Sequence, residues 1–588
     1  MIEEEKKSTK KFYGRIRFVE HPVQHPGFFR ETSDGRGIWE IATEPHVAIR
    51  LKRIFPRVLA SRTGVISIVD TPEIAYELRW ILSRWPHKID KLSANYLLNR
   101  RNQYVTTNKT VAEILAGKRE ISLIKEPTLP PRNYQLESDA IVGALGRLLV
   151  VDDIGLGKTL TGLLRLCNPD ALPGVVVTLN GLLLDQWLNE LNKFLPWLNG
   201  HIINKGQPYD PTQRRSSKGI LPDVYIINYH KLAGWSDTLA GVAKTVIFDE
   251  IQALRRSDSQ KYIAAGRIAD QAKYKIGLTA TPVVNYGIEI YNIVNILANG
   301  LLGTRSEFER EWEVSSKGEI KNPKALGAYL RDQGIMIRHR RGDPNVNREL
   351  PPAQIEPFHI DADLDILDSL SGDAIELAKL IVSRNVTQQE RFTASGQFDM
   401  KMREITGISK APYAAEFLHM LLETSEESIV AFGYHHAVYD ILAERLAPWN
   451  PVFYTGRESL AEKRAGWKAF KAKESRLLIM SVRSGQGLDG LQEHSSVCCF
   501  VELDWAWGII EQSIGRLNRD GQLRGTLAYM LLCNYGTDPY MAEVLNIKRS
   551  EGHSIRDPDL ELFKKNPQTY YAKIHAEALL KSKGIAVL

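Results

Sequence analysis

RLLVVDDIGLGKT, running from Arg147 to Thr159, is the stretch whose reading decides the fold. Its apolar half reads as a buried strand, and the run that follows, TLTGLLRL, reads as a helix. A strand, a glycine turn and a helix N-terminus aim several backbone N–H groups at one point, a geometry that suits a phosphate chain and is helped by the helix dipole. Gly155 and Gly157 keep side chains out of the way, Lys158 is placed for the β- and γ-phosphates, and Thr159 for Mg²⁺. The strict pattern has glycine five positions before Gly157, where this chain has Asp152. A glycine-rich structural turn that carries GKT would read the same in isolation, so the stretch needs support from its surroundings.

That support lies on both sides. From Tyr134 to about residue 300, the compact apolar runs PGVVVTL, DVYIINY, KTVIFDE and YKIGLTATP alternate with helix-like or loop segments. Such repetition predicts a parallel sheet covered on both faces. Residues 305–345 read as helical and end in the basic cluster Arg338, His339, Arg340 and Arg341. A polar, mostly helical stretch covers about 360–425. Alternation then resumes with ESIVAFGYH, PVFYTG, RLLIMSV, SVCCFVEL and LAYMLLC. Upstream, YGRIRFVEH, GIWEIA and GVISIV alternate with helix-like segments and predict an α+β module, closed by the proline-rich boundary KEPTLPPRNY. The expected fold class is therefore α/β, two tandem parallel-sheet lobes preceded by a small α+β domain. The expected boundaries are a tail at 1–11, the N-terminal accessory or substrate-recognition domain at 12–122, the first lobe at 123–350, the second at 351–540 and a helical extension at 541–588.

Two further constellations give the glycine turn its company. VIFDEIQ, Val246 to Gln252, is a strand ending in two carboxylates. Asp249 suits the Mg²⁺ shell and Glu250 suits polarisation of an attacking water. A lone Asp-Glu pair is usually a solvated loop, but this one closes an apolar strand downstream of Lys158. In QSIGRLNR, Gln512 to Arg519, two arginines three apart are expected on one helix face. A guanidinium is the expected partner for charge that builds on a transferring phosphoryl group. An isolated R-x-x-R is ordinarily a surface helix. Here the three signals occur in order, and Arg516 lies too far along the chain from Lys158 for a single lobe. The inference is a composite site in which lobe one holds the phosphates and lobe two delivers Arg516 and Arg519.

With these residues in view, the chain resembles the superfamily-two helicase-like ATPases of the Swi/Snf type, from about Arg132 to Gln522. Arg132-Asn133-Tyr134-Gln135 is similar to the Q motif, which implies that Gln135 reads the adenine edge. DDIGLGKT resembles motif I, which in the family also lacks the first glycine. DEIQ resembles motif II, where the family more often has histidine last, and Thr279-Ala280-Thr281-Pro282 resembles motif III, with alanine where the family usually has glycine. RHRRGDPNVNRELPP is similar to the basic stretch that follows lobe one. Thr455-Gly456 with Arg464 and Phe470 looks like part of motif IV, and Ser484 to Asp489 like motif V, which brings in Gly487 and Asp489 as nucleotide contacts. DWAWGIIEQSIGRLNRDGQ resembles motif VI and adds Gln512 to Arg516 and Arg519; Asn518 and Asp520 depart from it.

REITGISKAP, AFGYHHAVYDIL and FVELDW are similar to the annealing-helicase, HepA-related branch. Its members reanneal strands and remodel stalled forks, and carry an N-terminal domain for branched DNA that residues 38–90 faintly resemble. The resemblance implies ATP and Mg²⁺ as cofactor set and double-stranded or forked DNA as partner, gripped through its backbone in a salt-sensitive way. Candidate contacts are Asn180, Tyr229, Lys231, Thr281, Ser481, Ser484 and Trp505. Arg100, Arg101, Arg214, Arg215 and Arg338 to Arg341 add long-range attraction, although for any single one of them a solvated face is the commoner role.

Composition sets the outer bounds. With 43% hydrophobic and 25% charged residues over 588 positions, the chain reads as ordinary globular protein of several domains. A net charge of +6 permits a polyanionic partner without requiring one. Four cysteines lack zinc spacing and fit a reducing compartment. The start, MIEEEKKSTKK, has no apolar core of a signal peptide, and no apolar run approaches the ~20 residues of a membrane span. The expectation is a monomeric motor with replication or repair proteins as possible partners and no membrane. It would be cytoplasmic and nucleoid-associated in a prokaryote or phage, or nuclear in a eukaryote. Two other readings stay open: the motor of a phage or bacterial defence or protein–DNA remodelling assembly, and an ATP-binding scaffold without turnover.

Overall fold

The computed structural model describes residues 11–20, 37–55, 64–179, 181–213, 219–280, 287–314, 319–340, 343, 346, 353–383, 386–482, 488, 490–519, 521–543, 545, 571–583 and 585. The chain divides into two compact units, Met1–Val151 with Lys158–Arg338, and Asp152–Gly157 with His339–Leu588.

In the first unit, the N-terminal module is a four-stranded sheet. Strands β1 (Gly14–Val19), β2 (Ile38–Thr43), β3 (Val65–Val69) and β4 (Lys88–Ile89) lie in the order β3-β2-β1-β4. Alternate residues Ile16, Ile66 and Ile68, with Trp39 and Ile41, meet Leu78, Ile81 and Leu97 from helices Pro72–Arg84 and Lys91–Leu115 in one core. Under that core sits a buried polar knot. Asp70 accepts hydrogen bonds from Trp39 Nε1, Tyr96 Oη and Arg100 Nε, each at 2.8 Å. Arg100 is only 4% exposed, so its charge is spent on Asp70 and the expectation that it attracts a distant polyanion is corrected.

The main sheet of the first unit is built from β5 (Arg147–Val150), β6 (Gly174–Thr178), β7 (Gly200–Ile202), β8 (Val224–Asn228), β9 (Thr245–Asp249) and β10 (Tyr274–Leu278). A small antiparallel hairpin, β11 (Glu313–Val314) and β12 (Glu319–Ile320), follows. The chain then returns to the sheet as β13 (Met336–Ile337). The order is β13-β5-β10-β9-β6-β8-β7, and every pairing is parallel. Strands buried on both faces read as continuous apolar runs, which is why Val175 to Val177 and Val246 to Phe248 are fully buried. Each such side chain contributes roughly 1.5–3 kcal/mol through burial. Helix Lys158–Leu164 lies so tightly on the sheet that a Cβ on Gly162 would meet Leu278 at 3.1 Å and Ile247 at 3.2 Å.

The second unit carries β14 (Gln354–His359), β15 (Ile429–Gly433), β16 (Val452–Tyr454), β17 (Leu477–Ser481), β18 (Val497–Phe500) and β19 (Leu527–Leu532). Their order is β14-β19-β18-β15-β17-β16, again parallel throughout. A 37-residue helix, Gln388–Thr424, with Pro412 inside it, contributes to two cores. Its later half packs on the sheet through Ala411, Ala415 and Leu418. Its earlier half packs on helices Gly372–Val382 and Tyr571–Ser582 through Phe398, Met402 and Ile405.

The fold class is thus α/β, two RecA-like parallel sheets preceded by an α+β module, as the alternation of apolar runs predicts. Strands β7, β13 and β14 and the hairpin were not expected. The helix that begins QSIGRLNR was expected to carry both arginines, but helix Trp507–Ile514 stops short of them. All four cysteines are buried and unpaired. Burial pushes the thiols of Cys167 up to about 12 and Cys533 to about 11, and raises those of Cys498 and Cys499 well above the usual thiol range. Among the described residues, no helix is long and apolar enough to cross a membrane.

Candidate nucleotide and motor site

Strand β5 ends at Val150, and the chain turns through Asp153 to Gly157 before the helix that starts at Lys158. Gly155 and Gly157 hold φ of +87° and +69°, left-handed conformations that cost a glycine little. This is the local reason for two glycines here, and it exposes backbone where a phosphate would approach. Lys158 and Thr159, half-buried, form the first positions of the helix.

Two strands along the sheet from β5, β9 delivers Asp249. Its Oδ2 accepts hydrogen bonds from Thr178 Oγ1 at 2.8 Å, at the end of β6, and from Trp187 Nε1 at 2.9 Å. Tyr229 Oη donates to the Asp249 carbonyl at 2.8 Å. Burial raises the Asp249 carboxyl above the usual carboxylate range; the two donors and the nearby positive charge of Lys158 pull it back. The glycine-turn lysine and the strand-end carboxylate therefore share one electrostatic neighbourhood within the first unit.

Mg²⁺ fits this donor set. The carboxyl is desolvated, and both of its side-chain donors use Oδ2, so a cation beside it would offset the cost of its burial. Mg²⁺ keeps several waters and is typically held by one or two carboxylates plus substrate phosphates rather than by a protein cage. Among the described residues, no group of three or more His, Cys, Asp or Glu gathers as a metal cage.

Glu250 follows with φ of +49° and ψ of +52°. Left-handed backbone at a residue other than glycine costs on the order of 1 kcal/mol and is found preferentially at functional sites. Gln252, 8% exposed, donates from Nε2 to Glu250 Oε2, so the last residue of DEIQ fixes the orientation of the second carboxylate. Gln135 is buried at 4%, and its Oε1 accepts the backbone N–H of Arg132 at 2.9 Å, which ties the predicted adenine reader into the start of helix Asn133–Leu145.

One expected nucleic-acid contact in this unit takes another role. Tyr229 is 2% exposed with its hydroxyl committed to Asp249, so it is a support of the carboxylate strand and not a surface contact. Lys231 is half-buried at the start of helix Leu232–Leu239, where its backbone N–H is held by Asn228. Asn180, Thr281, Ser484, Gly487 and Asp489, with Arg214, Arg215 and Arg341, fall outside the described residues.

In the second unit, Ser481 closes β17, and Gln512 is half-buried on helix Trp507–Ile514. Gly515 caps that helix, and the chain continues in turns, with Arg516 N–H bonded to Ser513 O and Leu517 N–H to Ile514 O. Arg516 and Arg519 therefore sit on a turn after the helix, a correction to the single helix face. Arg516 Nη1 donates to Leu488 O at 3.2 Å, and Arg519 Nε donates to Gly515 O at 3.2 Å. Gln522 Nε2 closes the turn on Ser495 O and Leu517 O. Trp505 is half-buried and donates from Nε1 to Asp399 on the 37-residue helix at 2.9 Å.

The structure also explains motif residues that sequence reasoning left without a role. Along REITGISKAP, Arg403 donates to Leu503 O and Thr406 Oγ1 accepts the N–H of Thr537. A Cβ on Gly407 would lie 2.5 Å from Glu502. Lys410, 1% exposed, pairs with Asp538 at 2.6 Å. In AFGYHH and FVELDW, Glu502 accepts the N–H groups of Tyr434 and His435 at 2.7 and 2.9 Å and meets His435 Nδ1 at 2.6 Å. These three segments thus converge just beyond the carboxyl ends of β15, β18 and β19.

The SNF2-related domain model matches residues 78–363. Over that span the chain is similar to the SNF2-related, Swi/Snf-type proteins. The mouse protein named DNA annealing helicase and endonuclease ZRANB3 is 25% identical over 441 residues, covering 70% of this chain and 40% of that protein. The Xenopus laevis SWI/SNF-related matrix-associated actin-dependent regulator of chromatin subfamily A-like protein 1 is 23% identical over 421 residues, covering 68% of this chain and 42% of its own length. The chain therefore spans about two fifths of the length of these two relatives. Among solved structures, the Sulfolobus solfataricus SWI2/SNF2 ATPase core in complex with dsDNA aligns over 79% of this chain and 99% of its own, at 19% identity and a TM-score of 0.37.

Proposed function

We propose that this chain hydrolyses ATP and uses the energy to move on double-stranded or branched DNA, remodelling or reannealing forks in repair, recombination or replication. The observation that carries the reading is the pairing inside the first unit of a glycine-turn lysine, Lys158, with a desolvated strand-end carboxylate, Asp249, followed by a conformationally strained Glu250. The relatives' names support DNA as the partner: one is called a DNA annealing helicase. The proposed domain boundaries are those read from the sequence.

Within this reading, Gly155, Gly157 and Lys158 hold the phosphates, while Arg132 and Gln135 hold the base. Thr159 and Asp249 hold Mg²⁺, which when bound neutralises phosphate charge. Glu250, oriented by Gln252, takes up the proton of the attacking water. Gln512, Arg516 and Arg519 answer the charge that builds on the transferred phosphoryl group, with Gly487 and Asp489 as further nucleotide contacts. Ser481, Trp505 and Lys231 remain proposed DNA contacts, together with Asn180, Thr281 and Ser484.

The test is ATP hydrolysis measured without nucleic acid and with single strand, duplex, fork and four-way junction, at two salt concentrations. Stimulation by duplex or fork that falls steeply with salt is expected. Hydrolysis indifferent to every DNA would remove the motor reading, and absence of any hydrolysis would leave a nucleotide-binding scaffold.

A further inference from the structure

Asp152 stands where the strict phosphate-loop pattern has glycine, and its side chain is buried at 0% exposure. A buried carboxylate is costly unless it is held by donors. Its holder is His339: Asp152 Oδ1 accepts the backbone N–H of His339 at 2.9 Å and lies 2.8 Å from His339 Nδ1. The next residue, Asp153, donates its backbone N–H to His339 O at 3.1 Å. One histidine thus grips the first two residues of the turn through its N–H, its ring and its carbonyl. His339 is itself only 8% exposed. Just before it, Arg338 Nη1 donates to Val151 O at 2.7 Å.

These bonds carry the β5–β13 pairing onward after its last register pair, Val150 with Ile337. Closing the sheet does not require them, since the backbone N–H of Val151 is already satisfied by Ile337 O at 2.9 Å. What they fix is the direction in which the chain leaves β5 towards Gly155, Gly157 and Lys158. A turn that contains two left-handed glycines has little stiffness of its own, so an anchor at its first residue has leverage on where the lysine arrives.

We propose that His339 and Asp152 are positioning residues for nucleotide binding, a clasp by which the segment after β13 holds the phosphate turn in its binding conformation. The proposal rests on the nucleotide reading of Lys158. It assigns His339 a role in the first step, capture of the phosphates, and none in the chemistry.

The experiment is titration of the intact protein with a fluorescent ADP analogue, alongside KM and kcat for ATP. Wild type would be compared with His339→Ala, His339→Asn, Asp152→Asn and Lys158→Ala. Loss of a buried hydrogen bond to a charged partner typically weakens the function it supports by about tenfold or more. His339→Ala is therefore expected to raise Kd and KM about tenfold while kcat changes by less than about threefold. His339→Asn, whose amide can replace the ring donor, is expected to recover most of the affinity. Asp152→Asn, which keeps an acceptor oxygen and the shape, guards against reading misfolding as loss of binding. An unaltered Kd in His339→Ala overturns the clasp. So does a fall in kcat that tracks the folded fraction with KM unchanged, the signature of a merely structural residue. Failure of the nucleotide reading is separately visible, because wild type would then not bind the analogue, or Lys158→Ala would bind it equally well.

Discussion

Asp139 offers a test of the first unit's electrostatics in which the size of the effect follows from the structure. It lies on helix Asn133–Leu145, 5% exposed, with Arg165 Nε 3.5 Å from its Oδ1. Burial raises its carboxyl from 3.8 to about 6, and the charge of Arg165 only partly offsets this. A raised folded-state value means that the native protein binds this proton more tightly than the unfolded chain does. The associated stability is fully present below the unfolded value, near pH 4, and is lost as pH rises through about 6. Over that whole window the group accounts for about 3 kcal/mol, and between pH 5 and pH 8 for roughly 1.4 kcal/mol. Asp139→Asn removes the titration and keeps the shape. The attraction to Arg165, which grows as Asp139 ionises, is already contained in the folded-state value of about 6. Urea unfolding of both proteins at pH 5 and pH 8, followed by tryptophan fluorescence, should show the wild-type advantage over the variant shrinking by roughly 1.4 kcal/mol at the higher pH. Parallel behaviour of the two proteins, or an advantage that grows with pH, would refute the assignment of a desolvated carboxyl to this helix.

Other predictions concern the carboxylate strand and the second unit. Glu250→Gln should keep nucleotide binding and lower turnover by about 10²-fold or more, read from kcat beside analogue titration; unchanged turnover removes Glu250 from the base role. Gln252→Ala, which frees the Glu250 carboxylate, should lower kcat several-fold with KM little changed. Lys410→Met leaves Asp538 as a buried charge without its ion-pair partner and should cost about 3–5 kcal/mol in urea unfolding, much of it regained in the double variant Lys410→Met, Asp538→Leu. Equal losses in the single and double variants would argue against a coupled pair. Gly407→Ala forces a methyl group against Glu502 and should destabilise the second unit by about 1–3 kcal/mol in the same assay.

Much of the architecture could be read from the chain because its central strands are apolar on both faces. VVV at Val175 to Val177 and LLIM at Leu477 to Met480 admit little but a buried strand. The strands that escaped are those at edges or those too short to show a period. Strand β14 reads QIEPFH, with polar residues and a proline, and it stands at one end of its sheet, where a missing N–H is tolerated. Strand β13 has two residues, and β7 lies at the far edge. The candidate nucleotide residues were legible because glycine, lysine and paired carboxylates follow chemistry that fixes their spacing. The supports of those residues were not. Trp187 is a buried core residue whose N–H also donates to Asp249, a role its apolar surroundings in the sequence do not announce. The pairing of Asp152 with His339 joins positions 187 residues apart, which no local pattern announces. Arg100 read as a surface cation because sequence alone does not show that Asp70 waits beneath it.

The four sheltered thiols have a practical corollary. With every native sulfhydryl inside the protein and held in its protonated form, maleimide dyes should find no ready target until the fold opens. A single cysteine placed on any exposed helix would then be the sole point of attachment, without first stripping out the natural ones. The same chemistry run without an added cysteine becomes a clock for spontaneous opening, with Cys167 reporting from the first unit and Cys498, Cys499 and Cys533 from the second.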